Sequence, residues 1–157
     1  RISDRLMSVK IDSGKEILNV VSCYAPQTNC ADDIKDDFWE SIDTHFRTFG
    51  PDDHIVIGGD LNGHVGANRD GFEQHHGGQG FGSRNGDGNR ILEYAEAHNL
   101  AVANTYFRKK PAHLITYKSG GRSTQIDYWL LRRCDLKFAM DVKVIPSENV
   151  APQHRLL

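Results

Sequence analysis

His54-Ile55-Val56-Ile57-Gly58-Gly59-Asp60-Leu61-Asn62-Gly63 carries the strongest structural signal in the chain. Ile55, Val56 and Ile57 are apolar and β-branched, the pattern of a short buried strand. Two glycines then allow the backbone to approach a neighbour closely. Asp60 and Asn62 follow. In extended backbone, residues i and i+2 point to one side, so these two side chains are expected to face one phosphate together. A carboxylate there can hold a hard cation or orient a water, and an amide can hydrogen-bond a phosphate oxygen without adding repulsion. The alternative is a plain tight turn, which Asp, Asn and Gly favour for local reasons. A calcium-binding helix-loop-helix is excluded, because Val65 stands where that loop needs glycine.

Upstream of this stretch, residues 6–11 and 16–22 read as strands joined through Ser13-Gly14-Lys15, a hairpin pattern. Tyr24-Ala25-Pro26 ends the second strand. Residues 31–49 read as a helix, with Ile34, Phe38, Ile42, Phe46 and Phe49 at helical spacing and Trp39 widening the stripe. Asp32, Asp33, Asp36 and Asp37 crowd its N-terminal end, where the helix dipole favours them. Gly50-Pro51 supplies the stop. Downstream, residues 58–88 form a long glycine-rich loop, of the kind that is usually functional or disordered. A second helix is expected at 88–98, with Ile91, Leu92 and Ala95 on one face. Strands are expected at 100–103, 114–117, 125–131 and 142–145. Strand, helix, strand, helix and then mostly strands indicate an α/β layered domain with mixed sheets, a single domain spanning 1–157.

The 157 residues suffice for one real core, and 38% hydrophobic with 25% charged residues is ordinary for a soluble globular chain. The apolar runs are too short to span a bilayer, and the opening residues do not resemble a secretory signal. Three cysteines, Cys23, Cys30 and Cys134, are an odd number without close spacing. That argues against a disulfide framework or a cysteine zinc site, and for a reducing intracellular compartment. Net charge is −2, yet residues 105–133 hold seven basic residues against the single acid Asp127. This asymmetry is a candidate footprint for a polyanion, with a solvated surface as the alternative.

Three further features carry chemistry. Gln125-Ile126-Asp127-Tyr128-Trp129-Leu130-Leu131 reads as a strand with one carboxylate among large apolar residues. A buried charge is costly unless paired, so Asp127 calls for a partner. His154, near the C-terminal end, is an obvious candidate; an Asp–His pair fixes the imidazole tautomer and raises its basicity. Tyr24, before Ala25-Pro26, is either packing or a phosphate contact. His64, His75 and His76 lack a second ligand pair at zinc spacing.

Taken in order, Tyr24-Ala25-Pro26, Gly59-Asp60-Leu61-Asn62, Ile126-Asp127-Tyr128 and His154 resemble the motifs of the endonuclease/exonuclease/phosphatase superfamily. Phe81-Gly82-Ser83-Arg84-Asn85-Gly86, Gly88-Asn89-Arg90-Ile91-Leu92-Glu93-Tyr94-Ala95, Leu100-Ala101-Val102-Ala103-Asn104-Thr105 and Gln153-His154-Arg155-Leu156-Leu157 are similar to the endonucleases of RTE-type non-LTR retrotransposons and the related craniofacial development protein 2-like group. The resemblance covers essentially the whole chain. It implies a two-sheet α/β/β/α sandwich whose first strands lie ahead of Arg1, and Mg²⁺-dependent (or Mn²⁺-dependent) hydrolysis of phosphodiesters in DNA. Asp60 would hold the metal and orient or deprotonate the attacking water. Asn62 would join it at the metal or bind the phosphate. Tyr24 would contact the phosphate, and Asp127 would pair with His154. Lys118 and Arg122, in an expected DNA-touching hairpin loop over 118–124, would grip the backbone together with Asn85 and Arg132. A monomer acting on DNA in the nucleus, away from any membrane, is implied too.

The family's N-terminal Asn and its metal-binding Glu have no counterpart in this chain. Gln153 stands where the family usually has an Asp that assists the metal. Two alternatives follow: the same fold acting on another phosphoester, such as a phosphoinositide, sphingomyelin or poly(A), or a non-catalytic domesticated remnant that only binds partners.

Overall fold

The computed structural model of the chain describes residues 1–148 and 151–157. The expected hairpin forms from β1 (Leu6–Asp12) and β2 (Ile17–Tyr24), turning at Gly14. Helix α1 (Asp32–Phe46) crosses over to β3 (His54–Asp60), which pairs parallel with β2. Parallel neighbours require such a crossover. Helix α2 (Gly86–Ala97) leads into the short strand β4 (Leu100–Val102). A second hairpin pairs β5 (Tyr117–Ser119) with β6 (Arg122–Thr124). Strand β7 (Asp127–Arg132) then inserts between β3 and β4, and β8 (Ile145–Ala151) and β9 (His154–Leu156) end the chain. The strands make two sheets, one in the order β1-β2-β3-β7-β4 and one in the order β6-β5-β9-β8. The mixed, two-sheet α/β architecture is the one expected.

Both helices pack on one face of the five-stranded sheet. Leu6, Val21, Cys23, Ile55, Ile57, Tyr128 and Leu130 point into a core shared with Phe38 and Ile42 of α1 and Ile91 and Leu92 of α2. The period-two alternation of each strand sends the other set of side chains to the opposite face. Met7, Val9 and Ile11 emerge there about half exposed. Asp60 and Asp127 lie on that same opposite face, so the core fixes their positions without enclosing them. Among the described residues no helix is long and apolar enough to cross a membrane.

Several boundaries differ from the sequence expectation. α1 ends at Phe46, and Arg47 to Phe49 continue as turns through Thr48 N–H to His45 O and Phe49 N–H to Phe46 O. α2 starts at Gly86 because the Asn85 side chain accepts from Gly88 N–H and caps it. The strand expected at 114–117 is mostly absent: Pro111–His113 form a 3-10 turn, and pairing begins only at Tyr117. The strand expected at 142–145 starts at Ile145. The hairpin expected over 118–124 does form. Its turn is Gly120-Gly121, with φ of +54° and +76°, the two-residue geometry that glycine favours.

Candidate active site

The ends of interior strands from both sheets deliver the site. Asp60 is the last residue of β3, locked on both sides: Ala25 N–H donates to Asp60 O (2.8 Å) and Leu61 N–H donates to Ile126 O (2.9 Å). Asp127 opens β7 and sits directly opposite Asp60 in the antiparallel register. Thr116 Oγ1 accepts from both Ile126 N–H (3.0 Å) and Asp127 N–H (3.2 Å), tying the start of β7 to the second sheet. His154 opens β9 and pairs with Tyr117 of β5. Its Nδ1 stands 3.3 Å from Asp127 Oδ2 and its Nε2 3.8 Å from Asp60 Oδ2. A carboxylate can only accept, so the Nδ1 hydrogen belongs to the Asp127 contact. One ligand atom from each of Asp60, Asp127 and His154 falls within a 4.8 Å cluster.

Like charges directly opposite on one sheet face destabilise a sheet. Here both are also withdrawn from water, with side chains 12% and 16% exposed. Burial pushes the Asp60 carboxyl up to about 6, the facing Asp127 charge adds to the rise, and the Asn62 N–H bond and His154 oppose it. Burial likewise raises Asp127, against the pull of Thr116 and His154. Perturbed carboxyls of this kind gather at functional sites, because no packing requirement favours them. Under Asp60, burial also pushes the Cys23 thiol up to about 12, so it is inert packing.

The other sequence candidates divide into two groups. Asn62 stays beside Asp60, but not by strand alternation. Its φ is +48°, so the backbone has already left the strand. Asn62 N–H donates to Asp60 Oδ1 (2.9 Å) and its amide donates to Ala25 O (2.8 Å). Tyr24 ends β2 next to Asp60 in register, is 45% exposed, and lies under the Arg5 guanidinium. Lys118 and Arg122 sit exposed on the β5–β6 hairpin. Arg122 lines an open cleft of about 540 Å³ together with Asn62, His64, Tyr117 and Ser119.

Asn85 and Arg132 have structural work elsewhere. Asn85 Oδ1 is occupied by Gly88 N–H and His64 N–H. Arg132 is at the far end of β7, where it donates to Asp53 O and Gly50 O and stacks over Phe46. The guanidinium clamps the α1–β3 loop rather than facing the cleft. His75 and His76 are buried backbone ties: His75 Nδ1 bonds Leu100 O (2.7 Å) and His76 Nε2 bonds Gly66 O (3.0 Å). With those nitrogens committed, they make no metal cluster among the described residues.

Tyr117, Ser119 and Thr116 were not singled out from sequence. Tyr117 and Ser119 lie on a short, polar, half-exposed strand that lacks the apolar alternation of a core strand, and Thr116 is buried just ahead of it. The Gly120-Gly121 pair, which marks the hairpin expected over 118–124, and the strand expected at 114–117 together carry the signal of a partnered Tyr117.

The two sheets, with both helices on one face and the acidic–imidazole cluster at the strand ends, have the fold of the endonuclease/exonuclease/phosphatase proteins. The endonuclease domain of TRAS1, a telomere-specific non-LTR retrotransposon, superposes with a TM-score of 0.69 at 14% identity, over 98% of this chain and 59% of that one. The Xenopus laevis APE2 catalytic domain superposes with a TM-score of 0.61 at 17% identity, over 96% and 52%. An endonuclease/exonuclease/phosphatase family protein from Leptotrichia buccalis gives 0.52 at 17%, over 81% and 40%. In sequence the chain is similar to craniofacial development protein 2: 27% identical to that of Bos taurus and 26% to that of Tragulus javanicus, over 99% of its own length. The chain spans about a quarter of the length of these curated relatives. No family model matches it.

Proposed function

We propose that this chain contributes the Asp60–Asp127–His154 side of a divalent-metal-dependent phosphodiesterase acting on DNA. The observation that carries the reading is the convergence of two opposed, desolvated carboxyls and one imidazole from three strands onto one spot. Structural ion pairs neutralise charge; this cluster concentrates it, which suits a site that meets a cation and a phosphate.

The donor set fits a hard divalent ion. Asp60 and Asp127 offer carboxylate oxygens, the ligands Mg²⁺ takes, and such an ion keeps water or substrate oxygens in its remaining positions. Asp60 would hold it, with Asn62 close by. Bound there, the ion would supply Lewis-acid stabilisation of charge developing on the phosphate.

The chain's own groups then have distinct roles. A carboxyl with a pKa of about 6 is poised near neutral pH to take a proton from the attacking water, the role assigned to Asp60. Asp127 holds the imidazole tautomer through Nδ1, which leaves His154 Nε2 facing the reaction space. His154 would stabilise charge on the scissile phosphate or pass a proton to the leaving oxygen. Tyr24 borders the spot as a phosphate contact. Arg122, which lines the cleft, would bind the DNA backbone as a positioning contact without reading sequence, with Lys118 adding charge from the outer face of the same hairpin.

The test is nicking of supercoiled plasmid by the full-length polypeptide that carries this sequence. Cleavage is expected with Mg²⁺ or Mn²⁺, is expected to stop with EDTA, and is expected to fall at least about a hundredfold in His154→Ala. Salt-sensitive DNA binding without metal-dependent cleavage would instead favour a non-catalytic role. The turning of Gln153 away from the carboxyl cluster toward Tyr117 and Ser119 speaks for that second reading.

A further inference from the structure

Gln153 and Tyr117 lie outside the carboxyl cluster yet enclose its imidazole. The Tyr117 ring packs edge-on against His154, with centroids 4.8 Å apart and planes at 61°. Tyr117 Oη donates to Gln153 Oε1 (3.0 Å), and Gln153 Nε2 donates to Ser119 Oγ (2.9 Å). The Gln153 backbone joins the same hairpin, with Lys118 N–H donating to Gln153 O (2.9 Å). A continuous chain of contacts therefore runs from His154 through Tyr117 and Gln153 to Ser119. Ser119 in turn pairs with Arg122 across the glycine turn that borders the cleft.

Gln153 maintains this chain under strain. Its φ is +75°, a left-handed conformation that costs a residue with a side chain about 1–2 kcal/mol. Glycine would remove that cost, and a plain turn between β8 and β9 would favour it. The side chain makes two directed hydrogen bonds, one accepted by its carbonyl oxygen and one donated by its amide nitrogen, and glycine could make neither. Strain retained for a specific pair of contacts beside a reactive residue is a mark of positioning.

We propose that Tyr117 and Gln153 are positioning residues for His154, holding its imidazole over Asp60 and coupling its orientation to the β5–β6 hairpin. DNA seated in the cleft against Arg122 presses on the same hairpin, so substrate contact and imidazole alignment become linked. The proposal deepens the phosphodiesterase reading and rests on it for its kinetic consequences. Its geometric content stands apart.

Three variants of the full-length polypeptide test it. Tyr117→Phe keeps the ring against His154 and removes the hydroxyl. Gln153→Gly relieves the backbone and removes the amide. Gln153→Glu restores an acceptor for Tyr117 and for the Ser119 hydroxyl. The first two are expected to lower kcat on a DNA duplex about tenfold with KM changed less than about twofold, the scale of losses when supporting hydrogen bonds around a site are removed. Gln153→Glu is expected to recover most of the loss. Gln153→Gly is expected to melt at or above the temperature of the parent, so a fall in kcat is not a folding defect.

In metal-free protein with labelled histidine, tyrosine and phenylalanine, the NOE between the ring at position 117 and the His154 ring is expected to weaken in the two impaired variants and return in Gln153→Glu. If the parent protein does not cleave DNA, the NOE series still reads imidazole order, and the phosphodiesterase reading alone fails. Unchanged ring NOEs in Tyr117→Phe and Gln153→Gly would overturn the positioning proposal, whatever the activity.

Discussion

Asp60→Asn is expected to make the metal-free protein more stable at pH 8 while abolishing metal-dependent cleavage. The carboxyl has an unfolded value near 3.8 and a folded value of about 6. The folded state thus holds the proton more tightly than the unfolded state. Below pH 3.8 both states are protonated and the group contributes nothing. As pH rises through 6 the native carboxyl must ionise against burial and the facing Asp127 charge, and stability falls until the penalty is complete above that value. Each pKa unit corresponds to about 1.4 kcal/mol, which sets an upper bound of about 3 kcal/mol. Relaxation around a side chain still partly open to water brings the expected gain to about 1–2 kcal/mol.

Asparagine keeps the acceptor for Asn62 N–H, and its amide can donate toward His154 Nε2, so no buried group is orphaned. Urea unfolding at pH 4, 6 and 8 measures the effect. The gain should be near zero at pH 4 and grow with pH. Added Mg²⁺ should stabilise the parent more than the variant, because only the parent keeps both carboxylates to bind it. A variant less stable than the parent at pH 8, or a difference that is flat with pH, would show that Asp60 is structurally satisfied rather than strained for function.

The parts of the fold legible in the sequence were those whose side chains bury in a regular rhythm. Ile55 and Ile57 gave β3, Phe38 and Ile42 gave α1, and Ile91 and Leu92 gave α2, because each set fills the same core between helices and sheet. Asp127 was legible as a misplaced charge in an apolar strand, and its need for a partner pointed to His154. The second sheet was legible only as the 118–124 hairpin and in fragments at Tyr117 and Ile145. Tyr117-Lys118-Ser119 and Arg122-Ser123-Thr124 are polar surface strands, held by backbone pairing and a glycine turn rather than by burial.

Local period arguments also failed at the strand end. Asp60 and Asn62 come together through a turn with positive φ, not through the extended alternation that suggested their pairing. Asn85 and Arg132 carried the right chemistry for DNA, but each is committed to the scaffold by hydrogen bonds spanning about twenty or more residues. Sequence spacing is blind to such partners. Burial rhythm reads cores well and active-site rims poorly, because rims are built where the rhythm stops.

Gly59→Ala is expected to be among the most damaging single methyl groups that can be added near the site. Gly59 has φ of +146°, a conformation L side chains rarely adopt, and a Cβ built there would lie 1.9 Å from Cys23 O. That oxygen belongs to the backbone of β2, paired with β3 along its length, so it cannot yield without parting the two central parallel strands. Gly58 provides the control. A Cβ at Gly58 would meet the Trp129 ring at 2.2 Å, but that ring is a side chain on the less covered face and can turn aside.

Gly59→Ala should therefore cost about 4 kcal/mol or more, enough to unfold many domains of this size, and Gly58→Ala about 1–2 kcal/mol. Chemical denaturation of the two variants side by side separates them. The damage should also reach function. Asp60 follows Gly59 directly, and parting β2 from β3 breaks the Ala25 N–H bond to Asp60 O that fixes the carboxyl opposite Asp127. Any folded fraction of Gly59→Ala should then bind Mg²⁺ more weakly than folded Gly58→Ala. Equal stability in the two variants would mean that β2 and β3 do not approach as closely as the glycine requires, and the geometry assigned to Asp60 would fall with it.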